Sequence, residues 1–126
     1  MAESPKARIL VVDDEPLIRE MAREILEASG YAVDEAEDGQ CGLDRFLGFP
    51  GRYDLILLDL VMPRLHGFQV MDRVLEAAPG TRILLSSGFS PDSRPELTQP
   101  TATTAFLPKP YRSKDLLDHV RRLLGA

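Results

Sequence analysis

Asp13-Asp14, Asp59, Ser86-Ser87 and Lys109 are the residues whose types and spacing could do chemistry. Each follows directly on a short strand-like run, at residues 9–12, 55–58, 82–85 and 104–107 in turn, with a proline between the last run and its lysine. If those runs lie side by side, three carboxylates, two hydroxyls and an ammonium converge on one sheet edge. Carboxylates held that close repel one another, and at neutral pH they need a proton, a lysine or a hard cation among them. Mg2+ suits such a set: it takes oxygen ligands, prefers one or two carboxylates and keeps waters that a phosphate oxygen can replace. A metal, a lysine and a hydroxyl around a carboxylate nucleophile are the equipment of phosphoryl transfer. Asp59 is the candidate nucleophile, at the end of the most apolar run, with Asp13 and Asp14 as the metal carriers.

The elements that must position these groups are legible in the apolar pattern. Ile9-Leu-Val-Val12 does not alternate with polar residues, as expected of a strand covered on both faces of a parallel sheet. Ile18, Met21, Ala22, Ile25 and Leu26 then fall at helical spacing, opened by acids and Pro16 and closed by Ser29-Gly30. The alternation continues with a strand over 31–36, a helix over 39–47, a strand over 55–58, a helix over 67–77, and strands over 82–85 and 104–107. A last helix starts at Ser113, read as its N-cap, with Leu116, Leu117, Val120, Leu123 and Leu124 on one side. The segment 90–100 holds Pro91, Pro95 and Pro100 where a crossover helix is needed, so that helix is expected to be short or distorted. Five strands and about five helices in alternation predict an α/β fold: a doubly wound parallel sheet with helices on both faces, whose sites lie at the strand carboxyl ends.

Composition narrows the function classes. A chain of 126 residues accommodates one domain, here the whole of 1–126 with a core over about 7–124, and 44% hydrophobic with 28% charged residues is the balance of an ordinary globular domain. Lys and Arg number 15 against 20 Asp and Glu, a net charge of -5 with no basic run, which argues against direct binding to nucleic acid or anionic lipid. Apolar runs of four or five residues are far short of the ~20 needed to span a bilayer. A single cysteine, Cys41, and no signal-like N-terminus fit a cytoplasmic setting.

Ile9-Leu-Val-Val-Asp-Asp-Glu-Pro16, Asp59-Leu-Val-Met-Pro-Arg-Leu-His-Gly67, Ile83-Leu-Leu-Ser-Ser-Gly88 and Leu107-Pro-Lys-Pro110 together resemble the receiver domain of two-component response regulators, in order and spacing, over nearly the whole chain. The resemblance implies a flavodoxin-like (βα)5 sheet of strand order 2-1-3-4-5. It implies that a histidine kinase or histidine phosphotransfer protein phosphorylates Asp59, with Mg2+ held by Asp14, Asp59 and the backbone carbonyl of Val61, and by Asp13 through a water. It further implies that Ser86 bonds a phosphate oxygen, that Lys109 pairs with the phosphoryl group, that Lys109-Pro110 is cis, and that Ser86 and Phe106 form the switch through which the domain changes conformation. The result is a signalling switch with an unidentified downstream protein target, more than a turnover enzyme. Val61 and Gly88 offer no side chain to activate a water, which predicts a long-lived phosphoryl group. With no output domain after Leu124, the domain reads as a single-domain regulator or as part of a hybrid kinase.

Plainer readings compete at single positions. Adjacent acids before a helix serve the helix dipole, serines end strands, and Phe106 could be core; the joint placement with Asp59 and Lys109 favours the site. His66, in a turn before glycine, lacks the acidic helical setting of a phosphorelay histidine, and His119 on the last helix carries less weight still. Cys41 and the methionines read as packing residues. An aspartyl-phosphate hydrolase resembling the haloacid dehalogenase group wants a second acid two residues after the nucleophile, where Val61 stands. A flavodoxin-like electron carrier would set a phosphate against Asp13-Asp14-Glu15, which repels it.

Overall fold

The computed structural model describes residues 7–49, 51–62, 66–88 and 100–125. Five parallel strands, β1 (Arg8–Val12), β2 (Ala32–Ala36), β3 (Leu55–Asp59), β4 (Arg82–Ser87) and β5 (Thr104–Pro108), form one sheet in the order β2-β1-β3-β4-β5. Four helices are present among the described residues: α1 (Pro16–Ala28), α2 (Gly39–Gly48), α3 (Gly67–Ala77) and α4 (Ser113–Leu124). The crossover expected over 90–100 lies, apart from Pro100, outside the described residues.

Two hydrophobic layers sandwich the sheet. Leu10, Val12, Ile56, Leu58, Ile83 and Leu85 pack with residues of α2 and α3, while Ile9, Val11, Leu55, Leu57 and Leu84 pack with residues of α1 and α4. That division explains the unbroken apolar runs: successive side chains point to opposite faces, and both faces are covered. All five residues of β3 are buried, Asp59 included, so this carboxylate sits at the end of the central strand with protein on either side.

The element ends follow local chemistry. Pro16 opens α1 at a position that has no intrahelical partner for an N–H, and Gly30 turns the chain into β2 at φ 95°. The Asp38 carboxylate accepts from the Cys41 N–H at 2.8 Å and caps α2. At α4 the structure departs from expectation: Ser113 is the first helical residue and Arg112 occupies the cap. Asp115, in the first turn, reaches back to accept from the Arg112 N–H at 3.4 Å, so the helix start is tied by an acid inside the turn and not by a serine hydroxyl before it. Several strands also run one or two residues longer than their apolar cores, because ladder bonding continues into Asp59, Ser86, Ser87 and Pro108. No helix among the described residues is long and apolar enough to cross a membrane.

Candidate functional site

The parallel topology brings the ends of β1, β3, β4 and β5 together. Asp59 closes β3 opposite Ser86 of β4, and the Lys109 N–H donates to the Ser87 carbonyl at 2.9 Å, carrying the β4 ladder past the end of β5. Lys109-Pro110 is cis. Leu60 remains tied to the sheet through its N–H, which donates to the Ser86 carbonyl at 2.9 Å. The chain then turns, and Gly67 at the start of α3 lies directly on it: a Cβ there would come within 2.6 Å of both the Asp59 carbonyl oxygen and the Leu60 Cα. Only a glycine lets α3 start so close to the strand end.

Asp13, Asp14, Glu15 and Asp59 each present a carboxylate oxygen, all within 4.8 Å of one another. The Lys109 ammonium balances part of that charge, reaching Asp13 Oδ2 at 2.9 Å, Glu15 Oε1 at 3.3 Å and Asp59 Oδ2 at 3.4 Å. Burial, and then the charge of Asp13, push the Asp59 carboxyl up to about 6, despite the opposing attraction of Lys109 and the Val61 N–H. Burial disfavours the charged form of Lys109, but the bond and charge of Asp13, with Asp59 and Glu15, outweigh it and hold the ammonium above its ordinary range. Tyr111 is pushed up to about 12, by burial first and then by Asp13. This is a site with more negative charge than one lysine neutralises. Its donors are all hard oxygens, so the residues present fit a small divalent cation such as Mg2+.

An open cleft of about 450 Å3 gives access to the acids, lined among others by Asp14, Glu15, Asp59, Ser87 and Lys109. Val61 is 53% exposed at its rim. The two adjacent serines separate here. Both are buried, but Ser87 is among the residues that line the cleft, while the Ser86 hydroxyl donates to the Leu107 carbonyl at 2.9 Å. The expected Ser86 hydroxyl is therefore turned to β5. Phe106 is half-buried against the α2/α3 layer.

Asp13, Asp14, Asp59 and Lys109 are thus brought together as the sequence predicts. His66 sits at the start of α3 and donates its N–H to Gln69 Oε1 at 2.9 Å, while His119 is on the exposed side of α4, bonded to the Asp115 carbonyl. Glu15 joins the site without having been singled out, since a helix-start acid carries no signal of its own. Ser87, named together with Ser86 from the sequence, is the one of the two that lines the cleft, at the carboxyl tip of a parallel strand where the crevice opens.

A parallel 2-1-3-4-5 sheet with an acid cluster and a lysine at its carboxyl edge is a doubly wound α/β domain whose polar site lies where such sheets bind ligands. Residues 9–121 match the response regulator receiver domain, and the chain belongs to that family. The transcriptional regulatory protein ResD of Bacillus subtilis (strain 168) is 35% identical over 124 residues, covering 98% of this chain and 50% of ResD. The chain spans about half the length of this and the other sequence relatives. Among solved structures, the chemotaxis protein CheY4 of Vibrio cholerae superposes with a TM-score of 0.81 at 32% identity, covering 94% of this chain and 98% of that one. The response regulator TrrA of Thermotoga maritima, solved in complex with Mg(2+)-BeF, gives a TM-score of 0.80 at 35% identity, over 94% and 99%. Receiver domains are signalling domains of two-component systems, not conventional enzymes.

Proposed function

We propose that this chain is a single receiver domain over 1–126, working in the cytoplasm, that accepts a phosphoryl group on Asp59 from the phosphohistidine of a histidine kinase or phosphotransfer protein. The observation that carries this reading is the buried Asp59 carboxylate, held 3.4 Å from the Lys109 ammonium inside a cluster of acids at a sheet edge. An Asp59 oxygen attacks phosphorus in line, the O–P bond forms as the P–N bond of the donor breaks, and the donor imidazole takes up a proton. Lys109 follows the charge onto the equatorial oxygens. Mg2+, held by Asp14, Asp59 and the Val61 carbonyl, with Asp13 acting through a water, would neutralise charge on the phosphoryl group when bound.

We assign the phosphate-binding hydroxyl to Ser87 in place of Ser86. Its position on the cleft supports this, as does the engagement of Ser86 with Leu107. Ser87 and the half-buried Phe106 would form the switch, acting by a shift between two pre-existing states. The apolar Val61 at the rim supports a long-lived phosphoryl group. Gly88 no longer bears on that, because the position two beyond Ser87 is Phe89, outside the described residues. The chain's net charge of -5 supports an output through a protein partner, without direct contact to nucleic acid.

Intact mass after incubation with Mg2+ and acetyl phosphate tests the reading. One added phosphate on the native chain, absent from Asp59→Asn and abolished by a chelator, is expected. A folded chain that takes no phosphate from either acetyl phosphate or a histidine phosphotransfer protein overturns it.

A further inference from the structure

Asp13 is held at three points besides its contact with Lys109. Its N–H donates to the Ala36 carbonyl of β2 at 3.2 Å, its Oδ1 accepts from the Glu15 N–H at 2.9 Å, and its carbonyl oxygen accepts from Arg19 Nη1 at 2.8 Å. Only Oδ2 is left to face the centre, where it meets Lys109 at 2.9 Å. Two of these three ties lie within the backbone or the turn itself. The third comes from a side chain of α1 that touches none of the other acids and lies outside the motif segments.

Arg19 is in turn aimed by β2: its Nε lies 3.3 Å from Glu35 Oε1, and its side chain is 18% exposed. One planar guanidinium therefore bridges an edge strand and the turn that carries two of the acids, using different nitrogens for each. A lysine could make one of these contacts but not both, since it lacks the rigid fork. Arg23 is the natural comparison. It sits one turn further along α1 and bonds the other oxygen of the same carboxylate, Glu35 Oε2, at 2.8 Å, but no bond from it to Asp13 is seen.

We infer that Arg19 is a positioning residue for cation binding: by gripping the Asp13 carbonyl it sets the direction of the Asp13 and Asp14 carboxylates, while Glu35 holds it in place. This rests on the metal reading of the acid cluster. Residues that orient ligands from behind typically change metal affinity by about 10-fold or more when replaced, even where the ligands are untouched.

The test compares Arg19→Lys and Arg23→Lys, which keep the net charge, in the full chain. Mg2+ affinity is measured by competition with Mn2+, and exchange of the Glu15 amide hydrogen is followed in metal-free protein. Arg19→Lys is expected to weaken Mg2+ about 10-fold and to speed Glu15 exchange, with the fold intact by circular dichroism, while Arg23→Lys leaves both near the native values. Native affinity and native Glu15 exchange in folded Arg19→Lys overturn the inference. Equal losses in the two variants also overturn it, because the effect would then belong to α1 and Glu35 in general. A native chain that binds no Mg2+ refutes the metal reading separately, and the Glu15 amide still reports whether Arg19 orders the turn.

Discussion

Asp59→Asn is expected to make the protein more stable at neutral pH, although it removes the group on which the function depends. The cause is the environment that pushes the Asp59 carboxyl from 3.8 to about 6. A carboxyl whose folded-state pKa lies above its unfolded value is tolerated best when protonated. Keeping it ionised therefore costs stability above about pH 6, and that cost fades as the pH falls and vanishes below 3.8. The rise corresponds to about 3 kcal/mol if the pocket is dry. Water in the open cleft screens part of it, so about 1–2 kcal/mol is the expected gain for the amide, which keeps the shape and removes the charge. The rise already includes the attraction of Lys109, which in the variant retains Asp13 and Glu15. Urea unfolding of both proteins in EDTA at pH 7.5, 6.0 and 4.0 measures the difference. It should be largest at 7.5 and close to zero at 4.0. A variant less stable than the native chain at pH 7.5, or a difference that does not change with pH, would refute the account of Asp59 as a buried acid ionised at a cost.

Gly67→Ala should cost about 1–3 kcal/mol, because the new methyl group meets backbone atoms of Asp59 and Leu60 that cannot swing away. Thermal unfolding reads the cost, and slower phosphorylation by acetyl phosphate should accompany it as the acceptor strand is displaced. Tyr53→Phe should cost about 1–2 kcal/mol by removing the 2.7 Å bond from the Tyr53 hydroxyl to Asp34 Oδ2. Burial alone would raise Asp34, but Tyr53, Arg8 and Arg52 hold it below its ordinary value, so its contribution is present above the unfolded pKa and is lost as the pH falls through the lower folded one. Tyr53→Phe should therefore destabilise the protein more at pH 7 than at pH 3, a comparison that denaturant titrations at the two values would make.

Much of the architecture is legible in the chain because a parallel sheet covered on both faces demands continuous apolar strands, and its helices demand apolar residues three and four apart. Ile9–Val12 and the run ending at Asp59 satisfy the first condition, and Ile18 to Leu26 the second. Once strands alternate with helices, every strand must end at the same edge, so Asp13, Asp14, Asp59 and Lys109 follow as a group without any coordinates.

Coverage on both faces also removes the alternation that would tell one face from the other. Ser86 and Ser87 are consecutive and chemically identical, and a single step along the strand reverses the side-chain direction. Packing on either side of β4 therefore decided that Ser87 lines the cleft while Ser86 bonds Leu107. Glu15 reads as an ordinary helix-start acid until Lys109, 94 positions away, reaches back to it. Arg19 reads as one charge on an amphipathic helix until β2 brings Glu35 against it and its guanidinium closes on the Asp13 carbonyl. Sequence by itself determined the elements and the edge on which the chemistry sits, because those depend on period and order along the chain. Which atoms face that chemistry, and what holds them there, depends on contacts between distant residues, and only the tertiary structure decided it.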